Sequence, residues 1–247
     1  MHKQRTYRNQ IHSSRLKSFR VAVKETDLFV SASKELTDIA REMVLQYRGY
    51  IEKFIERHTD FLDALVPIEI NEPTPKIISD MMDAGFRAGV GPMASVAGAI
   101  AEHVGLALLD YSEEIIVENG GDVFIKSNQS VIIGIFANQS PLSLRIGLRI
   151  DPQDSPTAVC TSSGTVGHSI SFGKADAACV VSDSCALADA AATSIGNRVN
   201  NKDDIAAALD FGKDIKGVGG IVIIKDDKIG MWGNLTAVPI KEKKVEF

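Results

Sequence analysis

Hydrophobic and polar positions near the start of the chain alternate and then change to a helical period. Residues 19–30 alternate around a turn at Thr26-Asp27, which predicts a β-hairpin. Ser33 and Glu35 follow, and they suit the N-cap and the first turn of a helix. Residues 36–55 then carry apolar side chains at three- and four-residue spacing, so the sequence predicts a long amphipathic helix.

The middle of the chain is predicted to hold two further helices after a break. Pro73 and Pro75 disfavour a helical conformation in the residues before them, so the chain is extended there. A short helix is predicted over residues 77–84. Residues 93–104 are small or apolar on nearly every side, which indicates a buried helix.

From residue 115 onward the apolar runs are short and separated by polar turns, as in β-strands. The predicted strands are residues 115–117, 123–125, 131–136, 144–150, 177–181, 218–224 and 229–232. Helices are predicted over residues 186–199 and near residues 205–209. This order of a hairpin and helices, then a sheet, helices and a hairpin, predicts an α+β fold in one domain over residues 1–247.

Composition and charge narrow the functional classes. The chain has 247 residues, of which 45% are hydrophobic and 24% charged, as in ordinary globular proteins. Its net charge of -5 argues against a broad nucleic-acid surface, and the basic stretch 1–16 is predicted to be a flexible arm. No apolar run follows that basic start, and none elsewhere is long enough to span a membrane. With three cysteines, an odd number, the sequence predicts a cytoplasmic protein without a disulfide framework.

Two glycine-containing segments are candidates for binding chemistry. Gly89-Val90-Gly91-Pro92 precedes Ser95 and a predicted helix, whose free N–H groups would favour a phosphate. A tight structural turn explains that segment equally well. Asn119-Gly120-Gly121-Asp122 lies between two apolar strands, where Asn-Gly is typical of a hairpin turn. The same Gly-Gly pair followed by a carboxylate also leaves room for a flat ligand against bare backbone.

A third segment adds hydroxyl and carboxylate groups. The hydroxyl groups of Thr161-Ser162-Ser163-Gly164 could bind phosphate oxygens or stabilise a loop by internal hydrogen bonds. Asp189 and Thr193 are four residues apart in a predicted helix, so they share one face of it. A carboxylate beside a hydroxyl on an alanine-rich face suits Mg²⁺. The alternative is that Asp189 only accepts hydrogen bonds from nearby backbone.

Taken in this order, the segments resemble the ApbE-like superfamily, the flavin transferases and their relatives. The resemblance covers roughly residues 89–197 and is carried by Asn-Gly-Gly-Asp after a strand, Thr-Ser-Ser-Gly, the following His168, and Ala-Asp-Ala-Ala-Ala-Thr on a helix. It implies two T-fold-related halves, each an antiparallel sheet with packed helices, divided within residues 105–130. It also implies FAD bound between the halves, with a magnesium ion at its pyrophosphate.

The resemblance also assigns roles to residues of this chain. Asp189 and Thr193 would be metal ligands, and His168 would be the catalytic residue near the reacting phosphate. The cofactor-binding residues would be Ser95, Asn119, Gly120, Gly121, Asp122, Thr161, Ser162, Ser163 and Gly164. The chain departs from the transferase pattern after His168, where Ser169-Ile170-Ser171 replaces an Asp-Pro segment, and it lacks the Lys-Gly pair of the preceding helix. These departures, and the missing export signal, indicate a separate and shorter cytoplasmic branch.

Two functional hypotheses follow. The first is a Mg²⁺-dependent protein that binds FAD or another phosphorylated ligand, either as a flavin transferase-like enzyme or as a binding module. The second is a cytoplasmic sulfur-handling or carrier protein that uses Cys185 or Cys160, since a thiol near a helix N-terminus tends to have a lowered pKa. A metal site of Cys and His is disfavoured, because there is no Cys-x-x-Cys pair and the histidines are scattered. Sheet edges of T-fold-like proteins commonly pair, so a homo-oligomer is also expected.

Overall fold

The computed structural model describes residues 15–164 and 173–240 of the chain. The first part contains two strands, four helices and two more strands. They are β1 (Lys17–Val23), β2 (Thr26–Ala32), α1 (Thr37–Arg57), α2 (Asp60–Asp63), α3 (Lys76–Ala88), α4 (Val96–Leu108), β3 (Ile115–Asn119) and β4 (Asp122–Lys126). A 3₁₀ turn, Pro92–Ser95, leads directly into α4.

The second part repeats this order after a short insertion. The insertion holds β5 (Val131–Gly134) and β6 (Ile146–Ile150). The repeat consists of β7 (Thr157–Ser162), β8 (Ala177–Ser182), α5 (Cys185–Gly196), α6 (Ile205–Lys213), β9 (Val218–Lys225) and β10 (Lys228–Gly233), and the short strand β11 (Thr236–Pro239) follows. Each part thus reads strand, strand, helices, strand, strand, and the first part ends at Lys126.

The strands form two antiparallel sheets. The larger sheet has eight strands in the order β1-β2-β3-β4-β7-β8-β9-β10, so the two parts meet where β4 pairs with β7. The smaller sheet has three strands in the order β11-β6-β5. The α+β prediction is therefore confirmed. The relation of each half to the T-fold, and pairing of the edges β1 and β10 in an oligomer, stay predictions.

The eight-stranded sheet is covered on both faces. Successive side chains of a strand point to opposite faces. Phe124 accordingly packs in the core beneath the helices, whereas Val123 and Ile125 pack against the small sheet. The same alternation puts Cys160 on the helix face and Val159 on the other. The helix face of β4 and β7 is therefore the place where sheet residues can meet α4 and α5.

The helical layer is amphipathic, as the sequence predicts. The longest helix, α1, buries Ala40, Val44, Ile51 and Phe54 along one stripe. Between Thr37 and Lys213, the helices that the structure describes are each too short or too polar to cross a membrane. The predicted helices over residues 77–84 and 93–104 are confirmed as α3 and α4, with different ends.

The predicted start of the first helix is wrong. The helix begins at Thr37 rather than at Ser33, and its N-cap residue, Leu36, has no side-chain cap. Ser33 instead bonds to Ser112: its backbone N–H donates to the Ser112 hydroxyl at 3.0 Å, and the two hydroxyls are 2.9 Å apart. Glu35 consequently lies before the helix and not in its first turn. The hydrogen bonds to Ser112 hold Ser33 away from the capping position that its local sequence favours.

The end of the predicted arm is packed against the protein. Leu16 is only 8% exposed, and the Arg15 guanidinium forms a two-pronged ion pair with the Glu114 carboxylate. Ser127 and the Asn128 N–H also donate to Glu114, at 3.1 and 2.8 Å. The flexible arm predicted for residues 1–16 therefore does not extend to residues 15 and 16, and residues 1–14 lie outside the described part.

Candidate functional site

The Asn119-Gly120-Gly121-Asp122 segment is a two-residue hairpin turn between β3 and β4. Asn119 and Asp122 are paired across the two strands, and the glycines between them have φ angles of 72° and 120°. Positive φ at both central positions is typical of the type I′ turn, in which side-chain-bearing residues are strained. The hairpin interpretation of this segment is confirmed, and the backbone at its tip carries no side chains.

Asn119 connects this turn to the start of α4. Its side-chain amide donates to the Ala97 carbonyl at 3.0 Å, and only 7% of the residue is exposed. On the other side of the turn, the Gly121 N–H donates to the Glu118 carboxylate at 3.1 Å. The turn is thereby fixed to the first residues of α4. The order of the two segments in the sequence does not reveal this contact.

The segment before α4 is a tight structural turn. Gly89 has a φ of 70° and ends α3 in the left-handed conformation. A β-carbon at Gly91 would overlap the Ala64 carbonyl group. Ser95 is completely buried, and its hydroxyl donates to the Pro92 carbonyl at 2.7 Å. Because that hydroxyl closes the 3₁₀ turn, the predicted ligand role of Ser95 rests on the resemblance alone.

Asp189 reaches from α5 to the first turn of α4. Its carboxylate accepts hydrogen bonds from the Gly98 N–H, at 2.9 Å, and from the Ala97 N–H. Thr193, one turn further along α5, lies with its hydroxyl 3.5 Å from that of Ser162 on β7. The predicted shared face of Asp189 and Thr193 is thus directed at α4 and β7. The alternative that Asp189 accepts backbone hydrogen bonds is also correct, although the partner backbone is distant in sequence.

Asp122 and Asp189 form the electrostatic centre of the site. Asp122 is 6% exposed, and its Oδ1 has no hydrogen-bond partner among the described residues. Burial and the nearby charge of Asp189 raise the pKa of Asp122 well above its usual range, although the Thr161 backbone acts to lower it. Burial also raises the pKa of Asp189 to about 7, although the N–H donors of α4 act to lower it. Burial and the proximity of the two carboxyl groups therefore disfavour their charged forms.

A magnesium ion fits this arrangement in a specific way. In residues 15–164 and 173–240 no group of three or more His, Cys, Asp or Glu side chains is arranged to hold a metal ion. Mg²⁺ does not require such a cage, because it binds through one or two carboxylates and keeps several water ligands. Asp122 and Asp189 offer carboxylate oxygens, and Thr193 and Ser162, with hydroxyls 3.5 Å apart, offer hydroxyl oxygens, all of them hard ligands.

The Thr-Ser-Ser-Gly segment begins in a strand rather than in a loop. Thr161 and Ser162 are the last residues of β7, a strand that the sequence analysis missed together with β11. Gly164 follows, and its N–H donates to the Ala175 carbonyl at 3.0 Å. A β-carbon at Gly164 would overlap the Gly173 carbonyl, so this position requires glycine. The predicted catalytic residue His168 lies outside the described residues.

The cysteines do not have the properties of reactive thiols. Cys160 and Cys185 are 0% and 1% exposed, and the Cys160 thiol donates to the Cys185 carbonyl at 3.5 Å. Burial raises the pKa of both thiols, and it raises that of Cys179 to about 11. The expected lowering of the Cys185 pKa by a helix N-terminus is therefore wrong, because desolvation of the thiolate dominates.

Two elements of the site escaped sequence analysis. The first is the Gly98 backbone, whose only signal is a glycine inside a helical pattern, which can indicate close approach. The second is Glu102, whose carboxylate accepts from the Ser184 hydroxyl and the Ala186 N–H, both at 3.1 Å, at the start of α5. No local pattern distinguishes Glu102 from an ordinary solvated helix residue.

Comparison with known proteins places the chain in the ApbE-like class. A family model described as "AbpE bacteria" matches residues 8–231, so the chain belongs to that family. Among curated proteins it is 39% identical over 228 residues to a UPF0280 protein of Methanosarcina acetivorans, covering 91% of this chain and 90% of the relative. It is 41% identical over 223 residues to one of Methanopyrus kandleri, with 87% and 90% covered.

Two solved structures share the fold. The apo flavinyl transferase ApbE of Pseudomonas stutzeri superposes with a TM-score of 0.55 at 13% identity, over 88% of this chain and 93% of that one. The ApbE protein of Thermotoga maritima superposes with a TM-score of 0.56 at 15% identity, over 87% and 96%. The resemblance to the ApbE-like superfamily is thereby confirmed. At these identities the two structures establish the fold alone.

Proposed function

We propose that this protein binds FAD, or a closely related phosphorylated flavin, together with Mg²⁺ at Asp122 and Asp189. As an enzyme it would process FAD in the manner of a flavin transferase. Family membership makes a flavin the first ligand to test, and the geometry of the carboxylates adds the metal.

Among the residues that the structure describes, Asp122 Oδ1 has no hydrogen-bond partner, and this observation carries the proposal. A buried carboxylate oxygen without a donor costs roughly 1–3 kcal/mol or more. The neighbouring Asp189 adds repulsion, and its two N–H donors do not neutralise its charge. A divalent cation between the two side chains would remove both penalties at once, so the pair is best explained as a site that is completed by a metal ion.

The residues have separate roles in this proposal. Asp189, Thr193 and Asp122 would hold Mg²⁺, which supplies charge neutralisation and Lewis acidity at a bound pyrophosphate. The side-chain-free tip at Gly120-Gly121 would let the ligand lie close to the backbone, with Asn119 fixing the turn. Residues 161–164 would lie beside the same ligand. His168 would transfer a proton near the reacting phosphate.

Calorimetry of FAD binding with and without Mg²⁺ tests the proposal. Wild-type protein is expected to bind FAD only with Mg²⁺. Asp189→Asn is expected to bind FAD weakly whether or not Mg²⁺ is present. Glu52→Gln is a matched control, since Glu52 forms only surface ion pairs with Lys24 and Arg48. Equal FAD affinity of wild type and Asp189→Asn would contradict the metal assignment.

Product analysis separates an enzyme from a binding module. Release of AMP from FAD, with FMN freed or attached to a protein, identifies a flavin-processing enzyme, and His168→Ala should then slow the reaction while FAD still binds. Stable binding of intact FAD identifies a binding module. The sulfur-carrier hypothesis is not proposed further, because both candidate thiols are buried and their pKa values are raised.

A further inference from the structure

Helices α4 and α5 cap each other. The Asp189 carboxylate of α5 accepts from the Ala97 and Gly98 N–H groups, which belong to the first turn of α4. The Glu102 carboxylate of α4 accepts from the Ala186 N–H and from the hydroxyl of Ser184, the N-cap of α5. The first turn of each helix is thus held by an acidic side chain of the other.

The two caps are spaced symmetrically around one contact. Where the helices touch, a β-carbon at Gly98 would lie 2.3 Å from the Cys185 carbonyl oxygen. Glu102 follows Gly98 by one helical turn, and Asp189 follows Cys185 by the same interval. Because the helices are in direct backbone contact, a shift of either along its axis would break both caps.

We infer that Glu102 is a positioning residue of the cation site: its carboxylate fixes the start of α5 and thereby holds Asp189 and Thr193 in place. The inference rests on the proposed function for its consequence, which is Mg²⁺ affinity. Its geometric content, the dependence of Asp189 on Glu102, does not require a ligand. Glu102 itself bonds to α5 at Ser184 and Ala186, which precede both proposed ligands in the helix.

The start of α5 has two caps, Ser184 and Glu102. Ser184 already caps that helix, since its hydroxyl accepts from the Leu187 N–H at 3.3 Å. Helix formation alone therefore does not need a second cap from another helix. What Glu102 adds is a fixed relation between α5 and α4, and charge-assisted hydrogen bonds of this kind are stronger than neutral ones.

Magnesium binding to the full-length protein tests the inference, with isothermal calorimetry of MgCl₂ as the measurement. Glu102→Ala is expected to weaken Mg²⁺ binding by about tenfold, and Glu102→Gln by less, because the amide oxygen still accepts hydrogen bonds. Ile133→Val is the control, since it creates a mild packing defect in the core on the opposite face of the sheet. Equal Mg²⁺ affinity of Glu102→Ala and Ile133→Val would overturn the inference.

A second measurement keeps the inference independent of the metal. In metal-free protein, the Gly98 amide proton is expected to exchange with solvent faster in Glu102→Ala, because its hydrogen bond to Asp189 is lost when α5 shifts. The exchange rate should not change in Ile133→Val. If the wild type bound no Mg²⁺, the proposed function would fail, yet this exchange rate would still decide the role of Glu102. An unchanged exchange rate in Glu102→Ala would refute that role.

Discussion

The Asp189 carboxylate accepts a hydrogen bond from the Gly98 N–H at 2.9 Å, and this contact joins the two helices that carry the site. It is a cap and a candidate metal ligand at once. As a cap, it satisfies an N–H group of the first turn of α4. As a ligand, its ionised form would place a buried negative charge beside Asp122, and hydrogen bonds from neutral donors do not remove that charge.

The stability of the metal-free protein should fall as the pH rises. The pKa of Asp189 is raised from 3.8 to about 7 in the folded protein. Between these pH values the folded protein binds more protons than the unfolded chain, so the free energy of unfolding decreases as the pH rises. Urea unfolding at a series of pH values in EDTA measures this slope. In Asp189→Asn the slope should be smaller, and an identical slope would contradict the assignment.

Magnesium should compete with protons at the same site. Because Asp122 and Asp189 must lose protons to bind a cation, Mg²⁺ affinity is expected to rise as the pH rises through about 7. Protein saturated with Mg²⁺ should therefore show little of the stability loss seen in EDTA. Calorimetry in buffers of different ionisation enthalpy reports the protons released. Binding without proton release near neutral pH would show that the carboxylates are already ionised.

Replacement of Asp122 should stabilise the metal-free protein while impairing metal binding. Asp122→Asn removes an ionisable group from a buried position, and we expect a gain of roughly 1–3 kcal/mol at pH values where Asp122 is ionised. The same variant should bind Mg²⁺ about tenfold more weakly or worse. Urea unfolding and calorimetry on one preparation measure both effects. A loss of stability in EDTA would show that the charge has a partner that the described residues do not include.

The parts of the site that depend on local sequence can be predicted. The hairpin at Asn119-Gly120-Gly121-Asp122 follows from turn chemistry, and the shared face of Asp189 and Thr193 follows from helix periodicity. The approach of Asp122 to Asp189 is different, because it depends on the β4–β7 pairing and on the helix crossing at Gly98. Neither the pairing nor the crossing leaves a local pattern in the sequence.

The error about Cys185 has a related origin. Its position at the start of α5 is a local property and was predicted correctly, but the pKa of a thiol depends on its surroundings. The Cys185 thiol donates to the Val123 carbonyl at 3.7 Å and is enclosed between α5 and the sheet. Burial of that kind can be read only from the packing of α5 on β4.

Gly98→Ala should damage the site through the helix crossing. The added methyl group would meet the Cys185 carbonyl and the Asp189 β-carbon, at 2.3 and 2.8 Å, and backbone cannot move aside easily. We expect a loss of about 1–3 kcal/mol in stability and weaker Mg²⁺ binding.

Gly49→Ala is the matched control, because Gly49 lies in α1 with nothing within 4 Å of the new atom. That variant should gain about 0.5–1 kcal/mol and leave Mg²⁺ binding unchanged. Unaltered stability of Gly98→Ala would show that the helices separate readily.

The three thiols should be protected in the native protein. Cys160, Cys179 and Cys185 are 0–1% exposed, and burial raises the pKa of each, so the reactive thiolate is rare and enclosed. Labelling with a thiol-specific chromogenic disulfide should be slow in buffer and rapid in denaturant, where all three react. Cys185→Ala should still bind FAD and Mg²⁺, since no proposed ligand is removed. Fast labelling of Cys185 in folded protein, together with lost function in Cys185→Ala, would instead favour a thiol-based carrier.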